Sequence, residues 1–300
     1  MAVFHFFAYI SRGIFPRRSV LTARTCITCT DMATAAPSPV VYHISPTKLI
    51  PNSHLPLLYF PGFFRPSAAS LKGRDSPTNS DNTPRVDAAE VYDHFLSHGW
   101  ETQWVAKYGL SQPSHYHPET HECMAVLTGP GRIRFGVADL DADWRKNTPL
   151  SRQAQEQRHG QKTAGSSETQ WGGDSAGEGV YYEPGGVELT VHAGDAFIIP
   201  AGVAHKSYDP EHPGQGDSAA EAIALTGGGF HGVSGDDTRK AVQDCELSGF
   251  TMIGAYPEGK DWTWAEGGAH VGNFEKVWSV GKPKLDPLVG KEGGLNSLWE

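Results

Sequence analysis

Apolar residues recur in short alternating runs separated by Gly, Pro, Asn and Ser, the pattern of strands joined by turns. Val40-Val-Tyr-His-Ile and Leu55-Pro-Leu-Leu-Tyr-Phe60 read as the first strands, with a polar loop over 66–85 after them. Residues 87–99 carry Val91, Phe95 and Leu96 at helical spacing, with Asp87 as N-cap and Gly99 as the stop. Strand-like segments follow at 103–108, 114–117, 122–127 and 132–135, the last two joined by Gly129-Pro-Gly131. The rhythm breaks over 139–178, resumes at Val187-Glu-Leu-Thr-Val191 and Ala196 to Ile199, and breaks again over 210–247 around one helix from Asp237 to Cys245. Phe250 to Tyr256 is a closing strand, and the Gly- and Trp-containing tail is expected to wrap the outside. Such a chain is all-β, a sandwich or barrel with a few peripheral helices and polar loop insertions.

The alternation also sorts polar side chains. Arg132 and Arg134 fall on one face of their strand, opposite Ile133 and Phe135, and read as a solvated face. Lys206 and Tyr208 point away from whatever His205 faces. Trp100 and Trp104 read as packing residues.

One stretch carries chemistry. His115 and His117 lie on the same face of an extended strand, because side chains alternate with period two. Pro118 ends that strand, and Pro-Glu-Thr makes a turn that resets the alternation. Glu122, on the next strand, can then face the two histidines. About ninety residues later, the turns Gly194-Asp195 and Pro200-Ala-Gly202 bracket an apolar strand and return the chain at His205. Three imidazoles and one carboxylate arriving from separate strand segments make a divalent metal site with about two positions open. Affinity order alone leaves Fe, Mn, Ni, Co, Cu and Zn as candidates, and open positions beside a carboxylate favour Mn or Fe. His121, on the opposite side from Glu122, is expected to act behind the ligands or at an interface. Asp209 shares the parity of His205 and is a candidate proton-transfer group or a turn residue. His159, His192 and His231 lie outside this spacing.

Composition narrows the partners. The 300 residues carry a net charge of −9 and no basic stripe, which argues against nucleic acid. No apolar run is long enough to span a membrane. The four cysteines, Cys26, Cys29, Cys123 and Cys245, form no convincing disulfide framework. Residues 1–31 hold four arginines and no acid before Asp31. That bias suits a mitochondrial presequence, whereas initiation at Met32 would leave an ordinary cytoplasmic N-terminus. The main domain is expected over 40–290, with 291–300 as a C-terminal tail.

Gly109, His115, His117, Glu122 and Gly129 resemble the first cupin motif, and Gly194, Pro200, Gly202 and His205 the second, with Asp209 where that motif usually has Asn. One copy of each implies a single cupin barrel, a double-sheet jelly roll. Ile50-Pro-Asn-Ser-His-Leu-Pro, the run from His115 to Glu122, Gly254-Ala-Tyr-Pro-Glu-Gly and Asp286-Pro-Leu-Val-Gly-Lys-Glu-Gly are similar to YjlB-like single-domain cupins, a group whose resemblance brings no settled activity. Oxalate-degrading cupins share the ligand set and place Arg or Asn three residues before the first histidine. Gln112 stands there and is a candidate for orienting a small carboxylate. The implied function is a metal-dependent oxidoreductase acting on a small oxygen-rich or carboxylate substrate, as a homodimer. A non-catalytic metal or small-ligand binder and a sugar-type isomerase are the alternatives.

Overall fold

A computed structural model describes residues 38–66, 84–110, 112–148, 181–211, 223–224, 237–259 and 263–300. The leader-like segment 1–31 with Cys26 and Cys29, most of the 66–85 loop, His159 and His231 lie outside these residues, as do the middles of the two polar stretches. The chain divides into two units, 1–35 and 36–300, and all elements described here belong to the second.

Two antiparallel sheets dominate, and few helices accompany them. The strands are β1 (Val40–Tyr42), β2 (Leu57–Phe60), β3 (Trp100–Tyr108), β4 (His115–Tyr116), β5 (Glu122–Thr128), β6 (Gly131–Phe135), β7 (Val187–Val191), β8 (Ala196–Ile199), β9 (His205–Tyr208), β10 (Ile223–Ala224), β11 (Phe250–Pro257) and β12 (Ala265–Glu266). One sheet runs β1-β2-β8-β5-β11-β3-β10 and the other β12-β4-β9-β6-β7. The chain crosses between sheets at β4 to β5, β5 to β6, β7 to β8 and β8 to β9, so each candidate ligand sits where one sheet hands over to the other.

Alternation explains the layers. Met124, Val126, Phe197 and Ile199 from the larger sheet meet Ile133 and Phe135 from the smaller one in the space between them. The outer face of the larger sheet, with Leu58, Cys123, Ala125, Ile198 and Ile253, is covered by helix α1 (Ala88–Ser97) and by Trp299. That double coverage is why all seven residues of β5 are buried. Each large apolar side chain removed from water contributes roughly 1.5–3 kcal/mol. Helix α1 begins where Asp87 accepts from the amides of Ala89 and Glu90, and ends before Gly99, whose φ of 74° suits glycine.

The outer face of the smaller sheet departs from expectation. Arg132 is half-buried and pairs with Glu188, but Arg134 is 3 % exposed and Lys206 fully buried. Segments 137–148 and 181–183 lie over them, among them the short helix α2 (Trp144–Asn147). Asp139 explains how polar residues tolerate this: it accepts from Arg134 Nη2 at 2.5 Å, Lys206 Nζ at 3.0 Å and the Ser114 amide at 2.9 Å. Arg134 also donates to the Asn147 carbonyl and lies over the Tyr182 ring. The polar stretch from 139 therefore begins as part of the fold.

Helices α3 (Thr238–Gln243), α4 (Phe274–Trp278) and α5 (Leu295–Leu298) are short. Asp286 knots the last segment together by accepting from the amides of Leu288, Val289 and Leu295. Among the described residues, no helix is long and apolar enough to cross a membrane.

Candidate metal centre

β4 and β9 pair so that His115 lies directly opposite His205. His117 follows β4 immediately, and Glu122 opens β5 on the facing sheet, paired with Ile199. All four side chains are buried. His115, His117 and His205 each offer a ligand atom, and these atoms lie within 4.8 Å of one another. Glu122 reaches two of the three: its Oε2 is 3.1 Å from His205 Nε2 and 3.5 Å from His117 Nε2.

Hydrogen bonds behind the rings decide what the rings present. His115 Nδ1 contacts the Pro113 carbonyl at 3.1 Å, His117 Nδ1 that of Thr263 at 2.8 Å, and His205 Nδ1 that of Val203 at 3.3 Å. A carbonyl only accepts, so in each neutral imidazole the proton sits on Nδ1 and the lone pair on Nε2. Partners of this kind orient metal-binding histidines and raise their basicity.

Glu122 is held differently. Its Oε1 accepts from Tyr256 Oη at 2.5 Å, and Tyr256 in turn accepts from Trp104 Nε1 at 2.9 Å. Its Oε2 is buried without a hydrogen-bond partner. A buried carboxylate oxygen facing imidazole lone pairs is repulsive unless a cation lies among them. Neighbouring donors on a four- to six-coordinate ion with bonds near 2.1 Å stand roughly 3 Å apart, and the Oε2 separations are of that size. The three imidazoles could therefore hold a metal ion, and Glu122 Oε2 lies beside two of them.

The electrostatics agree. Burial pushes the His115 imidazole well below its ordinary value, and His205 and His117 add to this. Burial raises the Glu122 carboxyl, and positive charge at His117 and His205 outweighs it and holds the carboxyl well below the usual range; where those rings are neutral, only a cation among them can supply that charge. Burial, then the Glu122 charge, pushes the Tyr256 phenol well above its usual value and keeps it a donor.

The other residues singled out from sequence take separate places. Gln112 Oε1 accepts from the Ser207 amide at 2.7 Å. It thus ties β9 to the segment that follows β3. Asp209 lies past the far end of β9, four residues from His205, and its Oδ1 accepts from the Glu211 amide in a local turn. The structure does not show it joining the imidazoles. His121 Nδ1 accepts from the Ala201 amide, its Nε2 contacts the Gly281 carbonyl and its ring packs on Trp299. It braces the β8–β9 turn from outside the cluster.

Sequence reasoning missed the tail's share. The segment 263–266 supplies the Thr263 carbonyl to His117 and pairs β12 with β4. Its Trp264 stacks on His115, centroids 3.5 Å apart and planes 5° from parallel. Tyr256 was also missed. Its parity on β11 was readable, but nothing local said that this strand would face Glu122. The chain matches no protein-family model and no curated protein.

Proposed function

We propose that this chain is a single-domain cupin of the YjlB-like kind, a jelly roll holding one divalent metal ion through His115, His117, His205 and Glu122. Its activity in this reading is that of an oxidoreductase on a small oxygen-rich or carboxylate molecule. The observation that carries it is Glu122 Oε2, buried and partnerless beside two ε nitrogens whose δ nitrogens are already engaged. The repeated crossing of the chain between two antiparallel sheets supports the jelly-roll assignment. Mn or Fe is favoured, with Zn, Ni, Co and Cu as the other candidates.

When bound, the ion supplies a Lewis acid that anchors a substrate oxygen and stabilises negative charge developing there. The protein's own groups do the rest. The δ-nitrogen bonds fix the three rings in aim, and Tyr256 holds Glu122 in one orientation. Trp264 covers the outer face of His115 and limits water on that side. Val40 and Val41, exposed on the edge strand β1, favour pairing with a second copy.

Elemental analysis of the purified full chain, beside a His115→Ala, Glu122→Ala double variant, tests the centre. About one ion per chain in the first and none in the second is expected. Equal, near-zero metal in both removes the reading. Oxygen uptake with a panel of small acids and phenols then tests the reaction: metal without turnover leaves a binding protein, and chelator-indifferent turnover without oxygen uptake leaves an isomerase.

A further inference from the structure

In an unbroken strand Trp100 and Trp104 would share a face. On β3 they do not. The register against β11 shifts where Gly254 pairs with Trp104 and Ala255 with Thr102, a bulge that leaves Gln103 over. Trp100 then joins the layer under helix α1, where its Nε1 donates to the Leu285 carbonyl at 2.9 Å. Trp104 packs instead against the interior between the sheets.

On β11 the residue facing that indole is glycine. A Cβ at Gly254 would overlap the Trp104 ring, so the indole lies flat against the strand only because no side chain stands there. Bulge and glycine together bring Trp104 Nε1 within 2.9 Å of Tyr256 Oη. An indole N–H donates and never accepts, so it fixes Tyr256 Oη as acceptor on that side and leaves the phenol's proton for another group. That proton goes to Glu122 Oε1 at 2.5 Å.

The consequence falls on the other carboxylate oxygen. With Oε1 engaged, Oε2 lies 3.1 Å from His205 Nε2 and 3.5 Å from His117 Nε2. The Tyr256 ring also stands edge-on to His117, centroids 5.5 Å apart. Resting on the metal-centre reading above, we propose that Trp104 is a positioning residue for the centre: through Tyr256 it reserves one Glu122 oxygen for the protein and turns the other toward His117 and His205.

The test is a double-mutant cycle on Co2+ affinity, measured by equilibrium dialysis of the full chain, with a thermal melt of each metal-free sample. Tyr256→Phe is expected to weaken Co2+ binding about ten-fold, the lower end for partners that orient metal ligands. Trp104→Phe should weaken it at least about three-fold in wild type and leave it unchanged in the Tyr256→Phe background, the mark of residues acting through one another. Gly254→Ala displaces the indole without altering a bonding group and should follow Trp104→Phe in both backgrounds. If Trp104→Phe does not fold, Gly254→Ala closes the same cycle; if Tyr256→Phe does not fold, an unchanged Co2+ affinity in Trp104→Phe overturns the proposal. A packing role alone lowers the melting temperature of the metal-free chain and leaves Co2+ affinity unchanged, or changes it equally in both backgrounds. Either outcome overturns the proposal while leaving the metal centre standing. Failure of the wild type to retain Co2+ overturns both.

Discussion

Asp139 and Lys206 form the same buried ion pair, yet removing one should hurt far more than removing the other. Asp139 faces two cations, Arg134 at 2.5 Å and Lys206 at 3.0 Å, and the Ser114 amide. Asp139→Ala leaves both charges buried without an anion, a loss of about 3–5 kcal/mol. For a domain of this size that is a fall in Tm of roughly 6–20 °C. Lys206 is different. Burial is the largest influence on its amine, the Asp139 charge resists it and Arg134 adds to it, and the outcome is a fall from 10.5 to about 8. Such a fall is a net penalty of roughly 3 kcal/mol on the charged amine. Lys206→Met removes that penalty and leaves Asp139 its bonds to Arg134 and Ser114, so its stability should lie within about 1 kcal/mol of wild type or above it. The pH profile adds a second check. Between about pH 8 and 10.5 the unfolded chain holds a proton that the folded amine has released, so this group makes stability rise with pH over that window. Lys206→Met must lose that rise. Urea denaturation at pH 7 and pH 9.5 measures both effects. If Lys206→Met proves as damaging as Asp139→Ala, the pair's attraction exceeds its desolvation and the reasoning fails.

Metal-free protein should lose stability as pH falls below about 6.5, because unfolded His115 takes up a proton that the folded ring resists; Glu122, depressed in the fold, adds a further loss at lower pH. Thermal melts from pH 8 to pH 4 read this directly. Glu122→Gln keeps an acceptor for Tyr256 but removes the charge, and metal retention by equilibrium dialysis should drop at least ten-fold. Gly194 has φ of 99° and a Cβ there would overlap the Phe64 carbonyl, so Gly194→Ala should cost more than about 1 kcal/mol in a denaturation curve. Asp87→Ala should cost about 0.5–2 kcal/mol by the same assay, through loss of two amide bonds at the start of α1.

The spacing of His115, His117, Glu122 and His205 was informative because strand alternation and two turns are local properties, and both act within a few residues of each ligand. The same logic misled at Arg134. Alternating Arg and apolar residues on one strand ordinarily mean one wet face, but here Asp139, Asn147 and Tyr182 fold over that face and engage the two terminal nitrogens and the plane of the Arg134 guanidinium. Those covering residues are polar and aperiodic, so their burial depends on partners distant in sequence. The segment 263–266 was opaque for a related reason. β12 is two residues long and shows no alternation, and its contact with β4 bridges about 150 positions. Gln112 was placed by motif position alone and Asp209 by its parity with His205, and only the fold distinguishes a residue bonded to β9 from one closing a turn.

The pairing of His115 with His205 bears on the order of events during biosynthesis. The two rings are synthesised some ninety residues apart, and neither hairpin that carries them holds a complete grip. An ion arriving while the chain is still emerging meets at most His115, His117 and Glu122, and firm capture waits until β9 docks beside β4. If the centre is loaded as proposed, loading is a late event that follows correct threading. Protein refolded under chelation and then given metal should reach the same final state as protein matured in its presence.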